Sequence, residues 1–186
     1  ELAGSPPNSY PAKLTRLLWE RYLHFEGAQD KGLYILPCEL IADNARELER
    51  CVLYTAQKWA LPEPFLRWIK TSCYFCTTLV DCIVTGYDEK MSARYHAHLL
   101  DVREPFALWV IEEKGDIRTL LPLDQAGLPV VYTHDVTPYR ERKVRILNGA
   151  HTAMALMAYL AGKRTVRDCM EDDRLRGFIN ACVYDE

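Results

Sequence analysis

The stretch PVVYTHDVTPYRERKVRILNGAHTAMALMAYLAGK (129–163) divides this chain in two. Its first eight residues combine β-branched and aromatic side chains after a Gly/Pro turn, as strands do. Past Pro138 the pattern changes. ERKVRILNGAHTAMALMAYLAGK (141–163) runs more than twenty residues without proline, rich in Ala, Leu and Met and apolar on most sides. That predicts one long helix buried in a helical domain. The boundary is placed near residue 136, with an α/β part over 1–136 and the start of an all-helical part over 137–186.

Reading upstream from that boundary, FALWVIEE (106–113) has strand character of the same kind. Nearer the amino terminus, after SPPNSYP (5–11), apolar residues recur at Leu14, Leu17, Leu18, Tyr22 and Phe25, close to one helical face. The turn EGAQDKG (26–32) leads into LYILPC (33–38), an apolar run of the kind found in strands buried on both faces. From Asn44 to Trp59 the positions Leu48, Cys51, Val52, Thr55 and Trp59 again follow helical spacing, and Asn44 with Glu47 three residues on resembles a capping box. Pro62 and Pro64 break this helix, FLRWIK (65–70) predicts a short apolar-faced turn, and TSCYFCTTLVDCIVTGY (71–87) fits helix or strand. Downstream of the long helix, a single short helix is expected over Val166 to Val183. Strands alternating with helices make the first part α/β.

Composition narrows the function classes. The chain has 186 residues, 49% hydrophobic and 26% charged, with a net charge of -3. No basic field is available to attract phosphate backbones, so nucleic acid is not an expected partner. No run approaches the length of a membrane span, and ELAGSPPNSYPAK (1–13) lacks the basic-then-apolar order of a signal peptide. A soluble cytoplasmic protein, with no membrane partner, is the expectation. Seven cysteines, an odd number spread from Cys38 to Cys182, suit reduced thiols better than a secreted disulfide framework. Cys73 and Cys76 form a CxxC with no second Cys or His pair at zinc-site spacing, so they are read as small buried hydrophobes and no metal is expected.

The long helix carries the residues with chemistry. At about 100° per residue, Leu147, His151, Val144 and Asn148 fall about 40, 80, 100 and 140° from Lys143, so all five share one face. Met154, Ala155 and Ala158 continue it, and the polar groups interrupt an apolar surface. A lysine among apolar neighbours loses solvation of its ammonium form and can exchange a proton near neutral pH. An asparagine amide a turn away can stabilise a carbonyl oxygen gaining negative charge, and a histidine can orient a hydroxyl. The trio suits carbonyl reduction or alcohol oxidation. Such residues are also common as solvated or merely packed groups on helices.

Lys143, four residues, Asn148, two residues, His151, within RKVRILNGAHTAMALMAYLAG (142–162), resembles the signature of the long-chain mannitol dehydrogenase family of polyol dehydrogenases. LPCELIADN (36–44) looks like the family segment bearing a second asparagine, and TLVDCIVTGY (78–87) looks like its Val-Asp-Arg-Ile element. Within the family, CELI followed by PYRERKVRILNGAHTA (138–153) is most similar to the branch that interconverts the keto-uronate tagaturonate and the sugar acid altronate. The resemblance runs from SYPAKLT to FINACVYDE and corresponds to the middle of a longer protein.

The resemblance implies the C-terminal half of a Rossmann-like domain followed by the first helices of an all-helical domain. It implies an NAD-dependent oxidoreductase acting on a small sugar acid or polyol. Lys143 would protonate the nascent alkoxide and remove that proton in reverse; Asn148 and Asn44 would polarise the carbonyl, and His151 would bind a substrate hydroxyl. Asp81 matches the acidic residue of the Val-Asp-Arg-Ile element and would orient Lys143 or a substrate hydroxyl. Asn44 keeps its alternative reading as a helix cap. Cys82 stands where the family usually has arginine and Cys73 where related enzymes carry asparagine. No GxGxxG occurs among the nine glycines, so no cofactor-binding residue is assigned and this stretch alone should bind dinucleotide poorly. Fructuronate, or fructose and mannitol, are alternative substrates. A noncatalytic α/β interaction domain is the reading from another class.

Overall fold

The computed structural model describes residues 6–184. Residues 1–5, which belong to the stretch read for a leader, and residues 185–186 lie outside the described residues. The chain forms two compact units, Glu1–Val136 and Thr137–Glu186.

The first unit is α/β. Helix α1 (Tyr10–His24) starts where the Ser9 hydroxyl accepts from the Ala12 amide, with Pro11 in its first turn. Leu14 and Leu18 are buried, but Leu17 is 57% exposed, so the buried stripe is narrower than the apolar spacing predicts. Helix α2 (Asn44–Lys58) buries Ala45, Leu48, Val52 and Ala56. FLRWIK proves to be part of a full helix, α3 (Glu63–Ser72). The preceding helix already ends at Lys58, with Ala60 at φ 52° beyond it; Pro62 is the N-cap of α3 and Pro64 lies in its first turn, where a proline lacks only an amide that had no helical partner anyway. Phe65, Trp68, Trp19 and Tyr22 pack in edge-on and stacked ring contacts between α1 and α3, and the Trp68 indole donates to the Ala28 carbonyl at 2.9 Å.

The helices cover two short parallel strands, β1 (Tyr34–Ile35) and β2 (Tyr74–Phe75). The apolar run 33–38 is therefore strand only at its centre. β3 (Thr78–Asp81), β4 (Val84–Gly86) and β5 (Val102–Arg103) follow, so the ambiguous stretch 71–87 is largely strand. Helix α4 (Glu89–Tyr95) separates β4 from β5, which pair antiparallel. β6 (Leu108–Glu112) runs antiparallel to β3 and parallel to β7 (Val130–Thr133), with the short helix α5 (Ile117–Leu120) between the two.

The segment 74–81 pairs with β1 through its first half and with β6 through its second. The Cys76 amide still donates to the Ile35 carbonyl (3.0 Å), while the Glu112 amide donates to the Thr77 carbonyl (2.8 Å). At that switch the Glu112 carboxylate accepts from the Thr77 amide (2.8 Å) and the Lys114 ammonium donates to the Phe75 carbonyl (2.7 Å). A Lys114–Glu112 ion pair of 3.1 Å joins the two side chains. Backbone groups that change partner at a bend are thus satisfied by side chains.

The second unit is helical. Helix α6 (Thr137–Arg142), a π-helical segment (Lys143–Asn148) and α7 (Gly149–Leu160) follow without a break. Gly162, at φ 69°, ends α7 in the left-handed conformation that glycine adopts without a Cβ penalty, and the Lys163 amide reaches back to the Ala158 carbonyl at 2.8 Å. The single terminal helix expected over 166–183 is two: α8 (Val166–Glu171) and α9 (Asp173–Tyr184). Asp172 divides them, its carboxylate accepting from the amides of Arg174 and Leu175 and pairing with Lys163 at 3.0 Å. Met154, Ala158, Cys169, Leu175 and Ile179 form the small core.

The long helix is not buried within its unit. Val144, Ile146, Leu147, Leu156, Tyr159 and Leu160 are all exposed among the described residues. The apolar surround expected around Lys143 is absent there because only one side of α7, through Met154 and Ala158, packs on α8 and α9.

Close approach decides one glycine. A Cβ on Gly32 would lie 1.6 Å from the Ser72 carbonyl oxygen, so α3 can end against β1 only if residue 32 has no side chain. Gly32→Ala should lower stability by about 3 kcal/mol, read from urea unfolding of the full-length protein. A variant of unchanged stability would show that the two segments do not meet this closely.

Candidate functional site

Each unit carries part of the predicted site. In the first, Asn44 opens α2 but does not cap it. The cap position is Asp43, at φ 51°, and no side-chain cap bond forms; Glu47 instead pairs with Arg50. The expected capping box is therefore not made. The Asn44 side chain turns inward, is 3% exposed, and its amide donates to the carbonyls of Pro37 (3.0 Å), Glu39 (3.1 Å) and Thr78 (3.1 Å). Its oxygen accepts from the Thr78 amide at 3.1 Å.

Asn44 thus exchanges two hydrogen bonds with the start of β3 and also holds the loop that leaves β1. The Thr78 hydroxyl donates to the same Pro37 carbonyl. Three carbonyls already share the two amide hydrogens, so Asn44 would have to release one to polarise a substrate. Thr78, the partner in this arrangement, has no signal in the sequence, since it lies 34 residues away. Asp81 ends the same strand three residues further on, half-buried and paired in register with Leu108.

Cys82, beside Asp81, is half-buried, whereas Cys73 and Cys76 are buried. Burial pushes the Cys76 thiol up to about 11, so it is protonated at neutral pH and a poor nucleophile. The same cause raises Cys73. All seven cysteines are free thiols. Among the described residues no group of three or more His, Cys, Asp or Glu could hold a metal ion, and no helix is long and apolar enough to cross a membrane.

In the second unit, Lys143 begins the π-helical segment, Asn148 ends it, and His151 lies one α-turn beyond. Lys143 is half-buried, while Asn148 and His151 are exposed. One histidine ring atom has a fixed role. His151 Nδ1 lies 2.7 Å from the Leu147 carbonyl, which can only accept, so Nδ1 carries the hydrogen. In the neutral ring this leaves Nε2 with its lone pair outward, able to accept from a hydroxyl. The Asn148 carbonyl accepts from the Thr152 hydroxyl at 2.9 Å, and its side-chain amide is not used in that bond.

An α/β unit followed by a helical unit is the two-part arrangement of the mannitol dehydrogenase family. The chain belongs to that family: residues 3–124 match the Mannitol dehydrogenase Rossmann domain and residues 135–186 the Mannitol dehydrogenase C-terminal domain. It is 49% identical over 188 residues to the altronate oxidoreductase of Escherichia coli O7:K1 (strain IAI39 / ExPEC), and 48% identical to that of Shigella flexneri. Each alignment covers 98% of this chain and 39% of the relative, so the chain spans about two fifths of the length of the curated relatives it matches.

Two solved structures share the fold. The crystal structure of D-sorbitol dehydrogenase in substrate-free form has a TM-score of 0.77 and 24% identity, covering 95% of this chain and 36% of that one. The Pseudomonas fluorescens mannitol 2-dehydrogenase ternary complex with NAD and D-mannitol has a TM-score of 0.70 and 25% identity, covering 97% and 36%.

The hydrogen bonds of Asn44 give a stability prediction. Asn44→Ala removes the acceptor of the buried Thr78 amide and the amide donor to the Thr78 carbonyl, and should lower the stability of the full-length protein by about 3 kcal/mol in urea unfolding. A loss below about 0.5 kcal/mol would show that this bridge does not hold the loop.

Proposed function

We propose that the full-length protein is an NAD-dependent oxidoreductase that interconverts the keto-uronate tagaturonate and the sugar acid altronate. The observation that carries this reading is the 49% identity to altronate oxidoreductase over 98% of the chain, a span that includes the Lys143 helix. NAD is supported by the family's Rossmann domain and by the neighbouring mannitol 2-dehydrogenase solved with NAD. A Gly-rich phosphate loop does not occur in residues 1–186, so none of these residues is assigned to the pyrophosphate. When bound, the nicotinamide supplies or takes the hydride.

What this chain contributes is proton transfer and polarisation. Lys143 holds the proton that the reduced carbonyl oxygen requires, and takes it back from the altronate hydroxyl in the reverse direction. The Asn148 amide donates to that oxygen as it gains negative charge, which favours the transition state over the ground state. His151, protonated at Nδ1 by its bond to the Leu147 carbonyl, presents Nε2 to a neighbouring substrate hydroxyl. Asp81, at the end of β3, is the carboxylate that would orient a substrate hydroxyl. Asn44 acts in this reading by holding the loop 37–39 against β3, and contributes to polarisation only by releasing one of its carbonyl partners.

The test is NADH oxidation by the full-length protein with tagaturonate, fructuronate and fructose side by side. Tagaturonate should give the highest kcat/KM. Preference for fructuronate or fructose would move the protein to another branch of the family, and no turnover with any of the three would favour a noncatalytic role. Lys143→Ala should lower kcat with tagaturonate at least about a hundredfold while substrate binding is retained; unchanged turnover would sink the role given to Lys143.

A further inference from the structure

The helix that carries the proposed acid/base is not α-helical where its chemistry lies. Residues Lys143–Asn148 form a π-helical segment, and at its end the Gly149 amide is shared between the Val144 carbonyl five residues back and the Ile146 carbonyl three residues back. Arg142 and Gly149 on either side have ordinary right-handed helical angles, so the wide turn is an insertion within one continuous helix. Such a turn adds one residue to the register of an α-helix, is rare, and is usually a single turn.

Nothing local in KVRILN demands it. The segment contains neither proline nor glycine, and none of its residues is buried, so packing inside the helical unit does not impose the extra residue. What the turn changes is the relation between its own two ends. In an α-helix, residues five apart point about 140° from each other around the axis. A ring closed between residues five apart instead sets them one turn above each other, on the same face. His151, three residues past Asn148 in α-helical backbone, is next along that face.

We propose that the π turn over Lys143–Asn148 is a positioning device that aims the Lys143 ammonium and the Asn148 amide at one substrate oxygen. This rests on the reading of Lys143 as the acid/base. Val144, Arg145, Ile146 and Leu147 are positioning residues: their number, rather than their contacts with reactants, sets the geometry. Proton donor and oxyanion donor must reach the same atom in the transition state, and in a pure α-helix the separation of about 140° puts Lys143 and Asn148 at the two edges of the face read from the sequence, too far apart to meet on one atom.

The proposal is tested by changing the number of residues in the turn of the full-length enzyme. Deleting Ile146 leaves Lys143 and Asn148 four apart, which α-helical geometry places on one face. Turnover with tagaturonate and NADH should stay within about tenfold of the unaltered enzyme, with little change in the KM for tagaturonate. Inserting an alanine between Arg145 and Ile146 makes the spacing six, and should lower kcat more than about a hundredfold with little change in the KM for tagaturonate.

A folded deletion variant as inactive as Lys143→Ala, or a fully active insertion variant, would overturn the device. An active Lys143→Ala would instead overturn the reading beneath it. Should either length variant fail to fold, a crystal structure of the unaltered enzyme with NAD+ and altronate decides. A Val144 to Gly149 bond, with Lys143 and Asn148 meeting on one substrate oxygen, supports the proposal, and a regular α-helix through 143–148 overturns it.

Discussion

The side chain of Asn44 joins three pieces of backbone: the loop leaving β1 at Pro37 and Glu39, the start of β3 at Thr78, and the first turn of α2 from which it projects. An amide buried in this way is favourable only while all its partners are in place, because an unpaired polar group in the interior costs more than the hydrogen bond gains. The loop from 36 to 43 is exposed at its centre, and this inner hydrogen-bond set is what gives it a defined path. Asp81 is placed by the same constraint, since it lies on the strand whose first residue Asn44 holds.

The crossover between β2 and β3 shows a related use of polar side chains. The strand changes neighbour between Cys76 and Thr77, and Glu112 and Lys114 satisfy the backbone groups at the change while pairing with one another. Backbone hydrogen bonding and ion pairing are here one structure. The helical unit has a thinner apolar core, with Met154, Ala158, Cys169, Leu175 and Ile179, and its longest helix displays its remaining apolar side chains outward.

In the proposed reading each unit offers its candidate residues in its own way. The α/β unit provides fixed positions at strand ends. The helical unit provides a row of groups on one rod, where the spacing of residues converts directly into direction. In the proposed reaction a lysine gives a proton to the same oxygen to which an asparagine amide donates a hydrogen bond, so their angular relation around the helix matters more than the burial of either. The His151 ring is oriented from behind by a carbonyl of the π-helical segment.

Much of this was legible in the residues. The strand character of 106–113 and 129–136, the helices over 10–24 and 44–58, and the Lys, Asn and His spacing follow from periodicity and residue type, which act over a few positions. The same local signals misled where a distant partner intervened. Asn44 followed by Glu47 has the pattern of a capping box, but Thr78, far along the chain, offers the amide a buried donor and acceptor, and the side chain turns inward. FLRWIK extends into a full helix because α1 supplies the aromatic surface that Phe65 and Trp68 pack against. The apolar residues around Lys143 predict burial, yet the facing surfaces in this unit reach only one side of the helix. Sequence by itself determined which residues can carry chemistry and which secondary structure they favour, since those follow from side-chain type and local spacing. Only the tertiary structure decided the inward turn of Asn44 and the course of the strand past Cys76, because both depend on hydrogen-bond partners brought close by folding. The wide helical turn at Lys143 was equally hidden, because KVRILN reads as ordinary helix and its hydrogen-bond register is set only when the backbone is built.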